Sequence, residues 1–216
     1  MRVLIDFRDN EGRNWRTWVL MAKEGYRARP DAIQALVEAW AWLLNHGLVV
    51  RDMGQTSSDA VVISRSGLEF LERGVPWQRA VQRLDIALVP ALEYTARPQF
   101  LRGDFETAAF TAMKEVEVRV RELSGLSHDL VGIKLMQEAF KAGGPLHRPE
   151  TQAGEAVALM ELFKGAIGMF KNPASHRRVD VTDPTEAAEI VLLADLLLRL
   201  LGRLPEGGSS TATERA

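Results

Sequence analysis

Cysteine is absent from the 216 residues, which excludes a disulfide scaffold and any thiolate metal site. Charge of either sign is not in excess, the formal net charge being -2. The first 80 residues carry 11 basic and 10 acidic side chains, and residues 101–216 carry 14 and 17. Bulk charge therefore provides no nucleic-acid surface, and such binding needs a local patch. Long apolar runs are also missing. The longest, Ile190 to Leu201, is interrupted by Asp195 and Arg199, so no membrane span is expected. The stretch from Met1 to Asp6 meets an acid too early for a signal peptide, which points to a cytoplasmic protein without membrane association. There is no Walker loop, Rossmann glycine fingerprint, zinc spacing, nucleophile elbow or internal repeat. No metal and no cofactor are expected.

What is present suits a folded protein. Hydrophobic residues make up 46% and charged residues 26%, which is ordinary globular composition and enough for a real core. The length fits one large or two small domains.

The first 75 residues read as a small α+β unit. Trp15, Trp18, Val19 and Ala22 recur at helical spacing before Gly25. A second helix starts at Pro30, with Ile33, Leu36, Val37, Trp40, Leu43 and Leu44 on its apolar side, and stops at Gly47. Leu48 to Val50 predicts a strand, Asp52 to Ser58 a polar tip, Ala60 to Ile63 a return strand, and Ser64 onward another helix. That order is winged-helix-like, with the hairpin as the wing, and DNA is a candidate partner of such a module. The second helix exposes few basic residues, and many such modules contact only proteins.

Residues 76–100 read as a helical connector punctuated by Pro76, Pro90 and Pro98. Residues 101–204 read as a bundle of four helical segments, and residues 205–216 as a disordered tail. The first segment runs from Asp104 to Leu123. Its apolar stripe includes Ala108, Ala112, Met113, Val116 and Val120, and Glu117 and Arg121 pair at i,i+4 on the polar side. The second spans 127–141 and the third 154–170. The fourth follows Asp183-Pro184 and is apolar nearly all round, because Leu192, Leu193, Leu196 and Leu200 lie outside the main stripe. Such a helix is buried on more than one side, by a homodimer contact or by the N-terminal half of the same chain.

The densest polar cluster is Phe170-Lys171-Asn172-Pro173-Ala174-Ser175-His176-Arg177-Arg178. It is the one place where a histidine sits among several cations and amides; His46, His128 and His147 are isolated. Gly165 and Gly168 leave a smooth helix face for close packing. Pro173 pushes Asn172 out of helical geometry, so the helix is expected to end or kink there. The structural reading is that Asn172, Ser175 and His176 cap helix ends while Arg177 and Arg178 are solvated.

The run from Leu162 to Arg177 resembles the signature of the Ymh-type family of conserved hypothetical proteins. So do Glu115, Glu117, Arg119 and Arg121, the stretch Leu135-Met136 with Ala139-Phe140, and Glu186-Ala187-Ala188-Glu189. The resemblance covers about residues 104–201. It implies a mainly α fold whose C-terminal bundle is similar to the HEPN superfamily, whose active members are metal-independent endoribonucleases in toxin and phage-defence systems. Their hallmark is an arginine, a polar residue and, a few residues on, a histidine. Here Lys171 takes the arginine place, Asn172 the polar place and His176 the histidine place. The lysine is a departure, because arginine grips a phosphate with two prongs and lysine offers a point charge.

The resemblance thus implies RNA as partner, His176, Asn172 and Lys171 as catalytic residues, and Lys171, Arg177 and Arg178 as phosphate contacts. A histidine titrates near neutrality and can move the protons of RNA cleavage, while cations stabilise the charge that develops on phosphate. A homodimer would bring two such motifs together. The alternative is a non-catalytic nucleic-acid-binding, regulatory or oligomerisation protein.

Overall fold

The computed structural model describes residues 4–5, 14–27, 29–148, 150, 152–172 and 181–204. It is mainly helical with one two-stranded sheet. The chain divides into two compact units, Met1–Gln78 and Arg79–Ala216.

In the first unit, α1 (Trp15–Gly25) is capped by Asn14, whose side chain accepts from the amides of Arg16 and Thr17. Helix α2 (Pro30–Asn45) begins with proline at its first position, where a missing N–H costs nothing. It ends before Gly47, whose φ of 63° is the left-handed conformation that glycine adopts freely. Strands β1 (Val49–Arg51) and β2 (Val61–Ile63) pair antiparallel, with Val50 opposite Val62. Ser64 then caps α3 (Arg65–Arg83), its hydroxyl accepting from Gly67 N and donating to Gly47 O. A Cβ on Gly67 would lie 2.1 Å from Leu48 O, so only glycine lets α3 approach the hairpin this closely. Gly74, with φ of 80°, breaks α3 into two helical pieces. Trp40, Leu43, Leu48, Val49, Val61 and Phe70 form the core, and Trp15 stacks on Trp40 at 5.9 Å.

The second unit is a helical assembly around two long helices. Helices α4 (Pro90–Tyr94) and α5 (Ala96–Arg102) lead into α6 (Phe105–Ser124). After a turn come α7 (Gly132–Phe140) and α8 (Ala153–Ala166), which passes directly into a π-helical segment (Ile167–Lys171). Helix α9 (Pro184–Gly202) closes the unit, with Asp183 capping it through Thr185 N at 2.8 Å. Helices α6 and α9 are the main packing pair. Ala108, Ala109 and Ala112 on one and Ala187, Ala188 and Ala194 on the other are all buried, and small residues let the two axes come close. Val116, Val120, Val191, Leu197 and Leu201 fill the space around them, each worth about 1.5–3 kcal/mol of burial. Phe140 of α7 stacks on Phe163 of α8 at 4.7 Å.

Asp195, within the apolar run of α9, is buried. Its Oδ1 accepts from Val89 N at 2.7 Å and its Oδ2 from Arg199 Nε at 2.6 Å. The carboxylate thus ties the start of α4 to α9. The same hydrogen bond, then the charge of Asp195, holds the Arg199 guanidinium above its ordinary pKa. The inner half of α9 is buried, whereas Leu196 is 48% exposed and Leu192, Leu193 and Leu200 are partly so.

Two local expectations are corrected. The second bundle segment starts at Gly132 rather than at 127, because Asp129 N bonds Ser127 Oγ in a local turn and Gly132 has φ of 58°. Pro90 punctuates the region before the bundle as expected, since residues 84–89 are non-helical and a new helix starts there. Pro90 occupies the first position of α4 and Pro98 the first turn of α5, where proline removes no intrahelical hydrogen bond. Asn172 keeps helical angles, φ -61° and ψ -45°, despite the following proline. The departure from α geometry falls upstream, in the π segment. The clash with a following proline disfavours the helical region without forbidding it.

Candidate functional site

The site is built where α8 changes its winding. Over Ile167–Lys171 the backbone bonds run to the fifth residue back, ending with Asn172 N on Ile167 O. Each such ring holds one residue more than an α-turn, so the side chains that follow are rotated around the axis relative to an α-helical continuation. Gly168 permits this segment to press on α7, since a Cβ there would lie 2.9 Å from Ile133 Cδ1. Gly165 has nothing within 4 Å of such a Cβ, so only one of the two glycines serves close packing.

Lys171 reaches α6. Its Nζ lies 3.1 Å from Oε2 of Glu117, a residue only 5% exposed. Arg121, one turn further along α6, places Nη2 3.2 Å from Oε1 of the same carboxylate and also donates to Leu130 O at 2.8 Å. Gly132 N donates to Glu117 Oε2 at 3.1 Å. The carboxylate is therefore shared by two cations and one amide, which is what a buried charge requires. Arg121 Nε is buried and has no hydrogen-bond partner among the described residues.

Asn172 adjoins this group through Gly132. A Cβ on Gly132 would lie 2.6 Å from Asn172 Oδ1 and 3.1 Å from its Nδ2. The bare backbone at that point lets the amide sit against the turn that feeds the Glu117 carboxylate. The result is a compact polar set made by the middle of α6, the start of α7 and the end of the π segment.

Of the residues singled out in the sequence, Lys171 and Asn172 belong to this set. His176, Arg177 and Arg178, like Pro173 and Ser175, lie outside the described residues. Residues 205–216, expected to be a disordered tail, lie outside them too. Glu117 and Arg121 do pair, as their spacing predicts, but the pair is not on the polar side. Glu117 is buried together with Met113, Val116 and Val120. Its place in the site was not recognised from sequence, although a signal existed: position 117 falls four after Met113 and three before Val120, within the stripe itself. Gly132 was also missed, because a left-handed glycine at a helix start has no pattern of its own. No group of three His, Asp or Glu side chains able to hold a metal occurs among the described residues, and no described helix is long and apolar enough to cross a membrane.

Neither a curated protein nor a solved structure matches the chain. A family model does. The Hypoth_ymh model, described as a protein of unknown function, matches residues 87–201, a span that holds α6, α7, the π segment and most of α9. The match covers more than half of the sequence and contains every residue of the Glu117 cluster, and the chain belongs to the Hypoth_ymh family.

Proposed function

We propose that the second unit is a HEPN-like, metal-independent endoribonuclease domain of a cytoplasmic protein in a toxin or phage-defence role. The observation that supports this most is the presentation of Lys171 and Asn172, consecutive residues, at the end of a π segment and against buried Glu117 with its partner Arg121. Single π turns inside α-helices recur at functional sites, where they re-aim side chains. In this reading neutral His176 takes the proton of a ribose 2′-hydroxyl, and the oxygen attacks the adjacent phosphorus. The P–O5′ bond breaks to leave a 2′,3′-cyclic phosphate, and the leaving 5′ oxygen takes its proton from the protonated His176 of the second chain. Lys171, with Arg121 behind it, stabilises the charge that grows on the phosphate, and the Asn172 amide donates to a phosphate oxygen. Glu117 acts as a positioning residue, holding Lys171 in one rotamer. Arg177 and Arg178 hold flanking phosphates.

One chain supplies one such histidine, and the reading includes a homodimer formed through α9. Its outward side shows Leu192, Leu193, Leu196 and Leu200, with exposed Glu186 towards one end and exposed Arg203 towards the other. An antiparallel pair of such helices would set acidic ends beside basic ends.

A second reading has its own support. Glu117 is so deeply placed that Lys171 and Arg121 are both accounted for as its counter-ions. The bundle would then be a non-catalytic nucleic-acid-binding or regulatory protein. The first unit has the helix, hairpin and helix order of a winged-helix-like module. Its second helix, α2, holds no Lys or Arg and exposes Asp31, Gln34 and Glu38, which favours a protein partner over a DNA groove.

Purified full-length protein incubated with RNA, with and without EDTA, separates the readings. The nuclease reading expects cleavage that survives EDTA and disappears in His176→Ala without a change in melting temperature. An intact wild-type dimer that cleaves no RNA, or a fully active His176→Ala variant, rejects the mechanism.

A further inference from the structure

The outward side of α1 lies open among the described residues, and no residue of this helix is buried. Its inner side is settled by Trp15 and Trp18, whose ring centroids lie 5.9 and 6.4 Å from that of Trp40. Asn14 fixes its start, through the cap on Arg16 and Thr17 and through a bond from Nδ2 to Ser57 Oγ at 3.2 Å. On the opposite side Leu20 is 61% exposed and Met21 57%. Scattered apolar residues on a surface are ordinary, but two adjacent ones at the centre of a helix held from behind form a patch.

The charges on this side run against the helix. Arg16 stands in the first turn, which holds no acid, and Glu24 in the last, whereas the helix dipole favours the reverse order. Their contacts within the chain are weak ones. Arg16 Nη1 is 3.9 Å from Asp59 Oδ2, and exposed Glu24 pairs with exposed Arg27. Arg16, Leu20 and Glu24 follow one another at steps of four and form one ridge, each charge about 6 Å along the axis from Leu20. Thr17, Met21 and Gly25 make the next row, with a groove between, while Lys23 and Arg27 lie on the far side of the ridge. A two-fold axis at Leu20 lays the ridge of one copy into the groove of another, reversed, and each Arg16 then faces the partner's Glu24. The surface is self-complementary, as an isologous contact requires.

We propose that α1 is a self-association surface, pairing antiparallel with α1 of a second copy of this chain through Leu20, Met21 and two ion pairs between Arg16 and the partner's Glu24. The contact uses the first unit alone and needs neither catalysis nor the α9 dimer. Two helices of eleven residues cover less than a standard interface, so the association is weak by itself. Together with an isologous contact at α9 it yields a doubly joined dimer or a larger assembly, according to whether the two axes coincide.

Sedimentation equilibrium of the full-length protein is the test, run up to about 0.5 mM in a Leu196→Glu background so that the α9 contact does not contribute. The expected result is a reversible dimer that weakens as salt rises. Arg16→Glu and Glu24→Arg, each made alone, should raise its dissociation constant about tenfold, since each sets like charges face to face. An equimolar mixture of the two variants should dimerise about as tightly as the parent, because opposite signs meet again between unlike chains. Both substitutions agree with the helix dipole, so neither should lower the melting temperature, and lost association is then distinct from lost folding. A parent that stays monomeric leaves the face to another kind of partner and overturns the pairing. So do single variants that associate like the parent, or a mixture that does not recover. A wild-type mass unchanged by Leu196→Glu counts against the α9 dimer alone, and the mixing result still decides α1.

Discussion

Lys171 Nζ lies 3.1 Å from Glu117 Oε2, so the last residue of the π segment is held by a carboxylate buried in the middle of α6. The contact joins the least regular part of the bundle to its most regular helix. Everything proposed for Lys171 depends on how firmly that pair is made.

Removing either charge should cost stability, and the two losses should overlap. Lys171→Met leaves Glu117 with Arg121 and the Gly132 amide, and we expect a loss of about 1–3 kcal/mol. Glu117→Gln keeps the amide contact but releases two cations, with a loss of about 3 kcal/mol. The double variant should fall short of the sum by about 1 kcal/mol in a urea-unfolding cycle. Strictly additive losses would show that the pair contributes nothing.

Gly132 and Gly125 offer a paired comparison. Both are left-handed, with φ of 58° and 62°, but only Gly132 faces a neighbour, Asn172. Gly125→Ala should cost about 1–2 kcal/mol, the strain of a Cβ in that conformation. Gly132→Ala should cost more by roughly 1 kcal/mol or above, because the Asn172 amide must also move. Equal losses would mean that the Asn172 contact is not maintained in solution.

If Lys171 serves phosphate, Lys171→Arg should keep or raise RNA cleavage, because the guanidinium can pair with Glu117 and still offer a second prong. Lys171→Ala should lower cleavage at least tenfold. Single-turnover assays on one RNA compare them. Cleavage untouched by Lys171→Ala would remove this residue from the mechanism.

Leu196, 48% exposed on the outer side of α9, tests self-association. Leu196→Glu should turn a dimer into a monomer by light scattering during size exclusion, with less than about 0.5 kcal/mol change in monomer stability, as for most surface substitutions. A wild type that is already monomeric at micromolar concentration would end the dimer proposal.

Asp195→Ala should cost about 1–2 kcal/mol, since it removes the partner of the part-buried Val89 amide and leaves Arg199 with Ala87 O. Hydrogen exchange at Val89 should accelerate much more than exchange along α6. Slow exchange at Val89 in the variant would show that the carboxylate is not its protecting partner.

Much of this protein was legible one residue at a time. Pro30 at a first helical position, Asn45 before Gly47, Asp183 ahead of Pro184 and the spacing of Ala108, Ala112, Val116 and Val120 mark their elements in the chain itself. Caps, proline and helical periodicity act over a few residues, so one sequence suffices to read them. Lys171 and Asn172 were likewise legible, as the polar end of an apolar run.

What only the tertiary structure decided is where Glu117 goes and what it does there. By local rules Glu117 and Arg121 are a surface pair at i,i+4. Burial inverted that reading, because α7 and the π segment close over α6 and bring Lys171 and Gly132 N to the same carboxylate. The π winding itself, and the helical angles kept at Asn172 before a proline, also depend on packing. A small local strain can be offset by close contact such as that of Gly168 with Ile133. The sequence by itself determined the helices and their apolar faces, since these follow from spacing. Which charged groups meet inside was set by long-range packing, because no local pattern specifies a partner on another helix.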